Sequence, residues 1–157
     1  MILTTIEQRL AKAVAIAKSK KKTGNSEPGG PEYRKMGPSL RVDRLIQGLG
    51  AELAVARHLN VYPDLAEEYS AFDLTWRGVG VEVKSTYKRY GDLLVPAYQK
   101  GRGACIYVLA WGRFPRYEIV GFSTPKKIFR EENRFDPGKG ECYKLDRDEL
   151  RSMTELC

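Results

Sequence analysis

Histidine occurs once in the 157 residues, at His58, and cysteine three times, at Cys105, Cys142 and Cys157. Three widely separated cysteines with no C-x-x-C, and one imidazole, leave a structural zinc site almost without ligands. A Ser/His/Asp or Cys/His catalytic group would have to be built on His58 alone. The thiols read as free, which fits a reducing compartment and a cytoplasmic protein. Long apolar runs are missing as well: none approaches the roughly 18 residues that span a bilayer, so no membrane partner is expected. The opening MILTTIEQRLAKAVAIAKSKKK carries its charges after its apolar part, the reverse of a secretory signal, and has no small-residue cleavage site. What remains for chemistry is carboxylates, lysines and a hard metal ion.

What the sequence has in excess is positive charge, 27 Lys+Arg against 20 Asp+Glu, a net +7. The length suits one domain with one core, and a hydrophobic content of 42% excludes a wholly disordered chain. Between Lys18 and Arg44, eight Lys/Arg face only Glu27, Glu32 and Asp43, so a net +5 is concentrated there. Lys88, Arg89, Lys100 and Arg102 form a second basic set, interleaved with tyrosines. Such segments suit a polyanionic backbone. The candidate nucleic-acid contacts are therefore Lys20, Lys21, Lys22, Arg34, Lys35, Arg41, Arg44, Lys88, Arg89, Lys100 and Arg102. The other reading of both sets is ordinary solvated surface, and basic charge alone does not separate DNA from RNA.

Ile6, Leu10, Ala13, Val14 and Ala17 stand at helical spacing and predict a helix over 6–17. The stretch TGNSEPGGPEYRKMGP holds four glycines and three prolines and reads as a loop or mobile arm. Ser39 is the expected N-cap of a second helix over 39–59. Beyond Pro63 the texture becomes strand-like, with AFDLTW, VGVEVKST, DLLVP, ACIYVLAW and RYEIVGFS bounded by Gly, Pro or charged turns. TPKKIFREEN reads as a short helix with Thr124 as cap and Pro125 at its first position. FDPGKGE reads as a turn, ECYKL as a last strand and DRDELRSMTEL as a C-terminal helix. Helices, then a mostly antiparallel meander, then small helices imply an α/β or α+β domain on one sheet. Residues 1–38 form the N-terminal helix and basic arm, and 39–157 the domain proper.

The most informative stretch is 71–86. In VGVEVKST, Val79, Val81 and Val83 share one face of a strand, and Glu82 and Lys84 project side by side from the other. If Arg77 and Gly78 form the hairpin turn, Trp76 pairs with Val79 and Asp73 falls opposite Glu82, their β-carbons about 5 Å apart. Two facing carboxylates repel unless something positive lies between them. A divalent cation does this, and Mg²⁺ takes one or two carboxylates plus water and phosphate oxygens. Lys84 then reaches a phosphate or the attacking water. On the second helix, Leu45, Leu49, Glu52, Ala56 and Leu59 form one stripe that Glu52 interrupts, and a core-facing carboxylate is costly unless paired or metal-bound. Gly48 and Gly50 suit close approach of a backbone or ligand. Alone, E-x-K on a strand is usually a solvated polar face, and a one-residue slip would break the Asp73–Glu82 pairing. Glu52 alone could simply pair with Arg44 or Lys84. The conjunction of all four residues is what marks a metal site.

These residues resemble the PD-(D/E)XK nuclease superfamily. GLGAELAVARHL is similar to its helix glutamate motif through Glu52, AFDL to its aspartate motif through Asp73, and VEVKST to its (D/E)-x-K motif through Glu82 and Lys84. LLVPAYQKGRGACIYVLAW and RYEIVGFSTPKKI also resemble small stand-alone members found in phages and mobile elements. The likeness covers roughly 45–150, with its specific part in 52–86. Phe72 stands where the family's name has proline. Many relatives carry a catalytic Gln or Lys on a helix after the E-x-K strand, where this chain has Tyr98, Gln99 and Lys100 in a short segment. The resemblance implies a restriction-endonuclease-like single mixed sheet with flanking helices. It implies a Mg²⁺ or Mn²⁺ ion held by Asp73, Glu82 and the Val83 carbonyl, with Glu52 acting on the same ion or a second one. Lys84 would position or deprotonate water, or neutralise the pentavalent phosphorus. The activity implied is a divalent-metal-dependent deoxyribonuclease acting on double-stranded or branched DNA. A Holliday junction resolvase, an end-processing exonuclease and a nicking or restriction enzyme all fit, and the first suggests a homodimer. The alternative is a non-catalytic nucleic-acid-binding subunit that retains the fold.

Overall fold

Thr4 and Glu7 open the first helix, α1 (Thr5–Lys21), one residue before the apolar spacing begins. The Glu7 carboxylate accepts the Thr4 N–H at 2.5 Å and the Thr4 hydroxyl accepts the Glu7 N–H at 3.3 Å, a reciprocal cap. The computed structural model describes residues 1–21, 37–63, 65, 72–103, 105–138 and 140–156. The expectations for the 23–36 loop and for Lys22, Arg34, Lys35, Ala71 and Cys157 fall outside them. The second helix, α2 (Pro38–Leu59), is capped by Gly37 and not by Ser39, because Pro38 occupies its first position with a φ already set for helix. It ends at Asn60, in the left-handed region at φ 54.

Alanines let the two helices approach closely: Ala11 and Ala15 of α1 and Ala51 and Ala54 of α2 are fully buried together. The residues ahead of α1 are tied to the sheet, Leu3 N–H bonding the Pro115 carbonyl at 3.0 Å and Tyr117 N–H the Met1 carbonyl at 2.9 Å.

The strands form two sheets where one was expected. The first has four strands in the order β1 (Leu74–Trp76), β2 (Val79–Thr86), β4 (Cys105–Arg113), β5 (Arg116–Ser123). The second has three, β3 (Leu93–Pro96), β7 (Cys142–Leu145) and β6 (Arg134–Phe135). The meander is also corrected, since β2 and β4 run parallel. The chain leaves β2, makes β3 in the other sheet and crosses back, because Leu93 and Val95 bury their faces against Tyr107, Leu109 and Leu145 between the sheets. The four-stranded sheet is thus a middle layer, with α2 against Val81, Ile106 and Val108 on one side and the small sheet on the other. Burial on both faces explains why Cys105 to Ala110 reads as a continuous apolar run.

The remaining helices are shorter than expected. The segment after Thr124 is helical only over Pro125–Ile128, where the Asn133 side chain caps the Lys127 and Ile128 carbonyls at 2.8 and 3.0 Å. The expected C-terminal helix is two 3₁₀ turns, Arg147–Glu149 and Met153–Leu156. Between them Arg151 exchanges two backbone hydrogen bonds with Phe122 of β5, and that extended pairing interrupts the helix.

The two glycines of α2 separate cleanly. A Cβ on Gly50 would lie 2.5 Å from the Tyr117 hydroxyl and 2.8 Å from Phe114, while one on Gly48 would meet nothing within 4 Å. Gly50→Ala is expected to lower stability by about 1–3 kcal/mol through overpacking. Gly48→Ala should raise it by up to about 1 kcal/mol. Thermal denaturation of the two variants checks both signs, and equal effects would contradict the packing.

Candidate functional site

The hairpin forms in the expected register. Arg77 (φ 49) and Gly78 (φ 79) supply the two positive-φ positions of a two-residue turn, and Trp76 faces Val79, Thr75 faces Gly80 and Leu74 faces Val81. Val79, Val81 and Val83 pack with Val55 and Ala56 of α2. Strand pairing stops at Leu74, one position short of Asp73 and Glu82. There the Asp73 Oδ2 accepts the Val83 N–H at 2.7 Å. A strand residue sends its N–H and C=O to the same edge, so the Val83 carbonyl leaves β2 on the side where Asp73 lies. Phe72 anchors this corner: its ring covers Gly80 so closely that a Cβ there would come within 2.4 Å.

Glu52 arrives from the helix layer. Its stripe is packed as the spacing predicts, Leu45 and Leu49 toward α1 and Ala56 and Leu59 toward the sheet. Burial holds the Glu52 carboxyl at about 8, far above its ordinary 4.5. The negative charge of Asp73 adds to this, and Lys18 and Lys84 oppose it. Asp73 is raised as well, first by burial and then by Glu82, against Lys84, the Val83 N–H and Lys18. The three acids therefore share one corner, since the charges of Asp73 and Glu82 bear on Glu52 and that of Glu82 on Asp73.

Glu82 is only 4% exposed and is held on both oxygens. Its Oε2 accepts from Lys84 Nζ at 2.9 Å and Gln99 Nε2 at 3.2 Å, and its Oε1 accepts from Arg102 Nη1 at 2.9 Å. Gln99 and Arg102 come from the crossover that enters β4 at Cys105, opposite Gly80 and two positions short of Glu82, and their long side chains reach along the sheet to it. Gly101 and Gly103, both at φ 90, let that segment turn in.

The structure thus brings together Glu52, Asp73, Glu82 and Lys84, the four residues singled out by the sequence. It adds Lys18, counted before only as part of a basic arm, and Gln99, whose part was open. Arg102, expected on a phosphate backbone, lies on Glu82. Lys100 points its amine at the Tyr143 hydroxyl at 3.3 Å. Lys20, Arg44, Lys88 and Arg89 are exposed, Arg89 over the Tyr90 ring, and Arg41 is half-buried. Lys21 ends α1. The signal for Gln99 and Arg102 was the G-x-G flanking Arg102, which marks a sharp turn, but only their hydrogen bonds to Glu82 show where that turn leads.

Among the described residues no three His, Cys, Asp or Glu side chains are set closely enough to hold a metal ion unaided. A hard cation of the Mg²⁺ kind needs only one or two carboxylates, and the donor set suits that. An ionised carboxylate offers about four lone-pair positions, and Glu82 uses three. The Gln99 Oε1 is buried with no donor among the described residues, an oxygen left free beside the acids. Burial first and the neighbouring acids second raise the Glu52 and Asp73 carboxyls, and Lys84 and Lys18 oppose that rise.

No protein-family model, curated protein or solved structure matches the chain.

The pH dependence of stability follows from Glu52. Between pH 4.5 and about 8 the native carboxyl keeps a proton that the unfolded chain has released. Stability without divalent cations must therefore fall as pH rises through that window. Glu52→Gln should flatten the fall and gain on the order of 1–2 kcal/mol at pH 8. Asp73→Asn, which keeps an acceptor for the Val83 N–H, should act in the same direction. Urea denaturation in a chelator from pH 5 to 9 measures this; a wild-type stability that rises over the range would contradict it.

Proposed function

We propose that the acidic corner hydrolyses phosphodiester bonds in DNA with the help of Mg²⁺ or Mn²⁺, as a nuclease of the PD-(D/E)XK kind. The observation that carries this reading is the meeting of Glu52 from the helix layer with Asp73 and Glu82 at the end of β1, where burial first, and the charges of Asp73 and Glu82 after it, raise the Glu52 carboxyl to about 8. Asp73, Glu82 and the Val83 carbonyl would hold the cation, with Glu52 acting directly or through water. When bound, the cation supplies the charge that activates water and offsets the phosphate. Lys84, 2.9 Å from Glu82, would orient or deprotonate the attacking water, or neutralise charge on the phosphorus. Gln99 and Arg102 keep Glu82 in one orientation. The substrate fits double-stranded or branched DNA, and a structure-specific endonuclease such as a Holliday junction resolvase is one form of this activity.

A second reading has its own support. Glu82 already has two cationic partners, the arrangement expected of a non-catalytic nucleic-acid-binding subunit that retains the fold. Incubation with plasmid, linear and branched DNA, with Mg²⁺, with Mn²⁺ and with a chelator, separates the two. The hydrolytic reading expects metal-dependent cleavage that falls at least about a hundredfold in Lys84→Ala. It also expects Mg²⁺ or Mn²⁺ to raise the melting temperature more at pH 8 than at pH 6, because cation and proton compete for the same carboxyls. DNA binding without cleavage on any substrate, and no thermal shift with either metal, would favour the second reading.

A further inference from the structure

Past Lys84 the strand runs out of the acidic corner into Tyr87, and two adjoining concavities open there. One, of about 640 Å³, is lined by Tyr87, Trp111, Phe114 and Arg116 among others. The other, of about 620 Å³, is lined by Lys12, Asp43 and Gln47, and the two share Tyr87, Arg113 and Phe114. Lys84 and Tyr87 are three residues apart on an extended segment, so the groove starts roughly 10 Å from Lys84.

The lining pairs aromatic faces with cations. Tyr87 is 62% exposed, with the Arg113 guanidinium 5.1 Å from its ring centre. Lys12 stands 5.8 Å from the centre of the Phe114 ring. Arg116 adds a third positive charge, and of the two acids present Glu118 is already engaged by Arg147 at 3.3 Å. An exposed Tyr87 ring and a half-buried Phe114 ring, each beside a cation, suit unstacked bases on a phosphate backbone. A duplex keeps its base faces stacked and would use only the charges.

We propose that this groove binds a single-stranded DNA segment, stacking bases on Tyr87 and Phe114 and holding phosphates with Lys12, Arg113 and Arg116. The inference rests on the hydrolytic reading only in placing the bound strand beside the acidic corner. It makes the preferred substrate a branched or tailed duplex, with the single strand leading from the groove to the cut.

Fluorescence-anisotropy titrations of the whole protein in a chelator test it with three labelled DNAs: a single strand, a blunt duplex of the same length, and a duplex with a single-stranded tail. Tyr87→Ala and Arg113→Glu both change exposed side chains, and melting curves verify that each variant is folded. Each should weaken binding of the single strand and the tailed duplex by about tenfold. Their affinity for the blunt duplex should change far less. Intrinsic fluorescence should fall as the single strand is added, since Trp111 lines the groove. Single-strand affinity unchanged in both variants, or single strand and duplex weakened equally, would overturn the proposal. The chelator removes cleavage from the assay, so the two readings fail separately. A protein that binds the strand through Tyr87 but never cuts refutes only the hydrolytic reading. One that cuts with single-strand binding indifferent to Tyr87 refutes only the groove.

Discussion

Three carboxyl groups compete for one corner of the sheet, and much of the local architecture follows from how their charge is managed. Glu52 and Asp73 respond by holding protons more tightly than usual, since burial and mutual repulsion disfavour their charged forms. Glu82, the most enclosed, recruits Lys84, Arg102 and Gln99 around its two oxygens. A buried carboxylate left without such partners would cost several kcal/mol. The corner is therefore balanced between proton, lysine, arginine and, on the proposed reading, a divalent cation.

The backbone prepares the corner in two ways. The Asp73 side chain takes the Val83 N–H just beyond the last β1 pair, where the ladder with β2 ends. The crossover between the parallel strands β2 and β4 re-enters the sheet opposite Gly80, and from it Gln99 and Arg102 extend their side chains to Glu82. The same crossover builds the second sheet, so the site and the layering share one cause. At the other end of β2 the chain passes into an aromatic and basic groove, which places the proposed chemistry and the proposed strand-binding surface along one element.

Much of this was legible before any fold was known. Alternation of valine with polar residues located β2, the Arg77-Gly78 pair located its turn, and together they set the register that carries Asp73 toward Glu82. The interrupted stripe identified Glu52 as a carboxylate aimed at the core side. Where the reading failed, a non-local partner had overridden a local signal. Ser39 looked like a cap until Pro38 took the first helical position. The last segment looked helical until Arg151 paired with Phe122. The single sheet failed because each strand's alternation shows which residues are buried but not which other strand covers them.

The sequence by itself determined the chemistry on offer: one histidine and scattered thiols leave soft-metal and triad sites few groups to draw on, while Glu52, Asp73, Glu82 and Lys84 stand at spacings that suit one carboxylate and lysine cluster. Those conclusions depend on residue type and on periods of 2 and 3.6, which are local properties of the chain. Only the tertiary structure decided that β2 and β4 run parallel, that Gln99 and Arg102 close on Glu82, and that Lys18 of the first helix bears on Glu52. These are contacts between segments far apart in sequence, chosen by which faces could be buried together, and no local pattern encodes that choice.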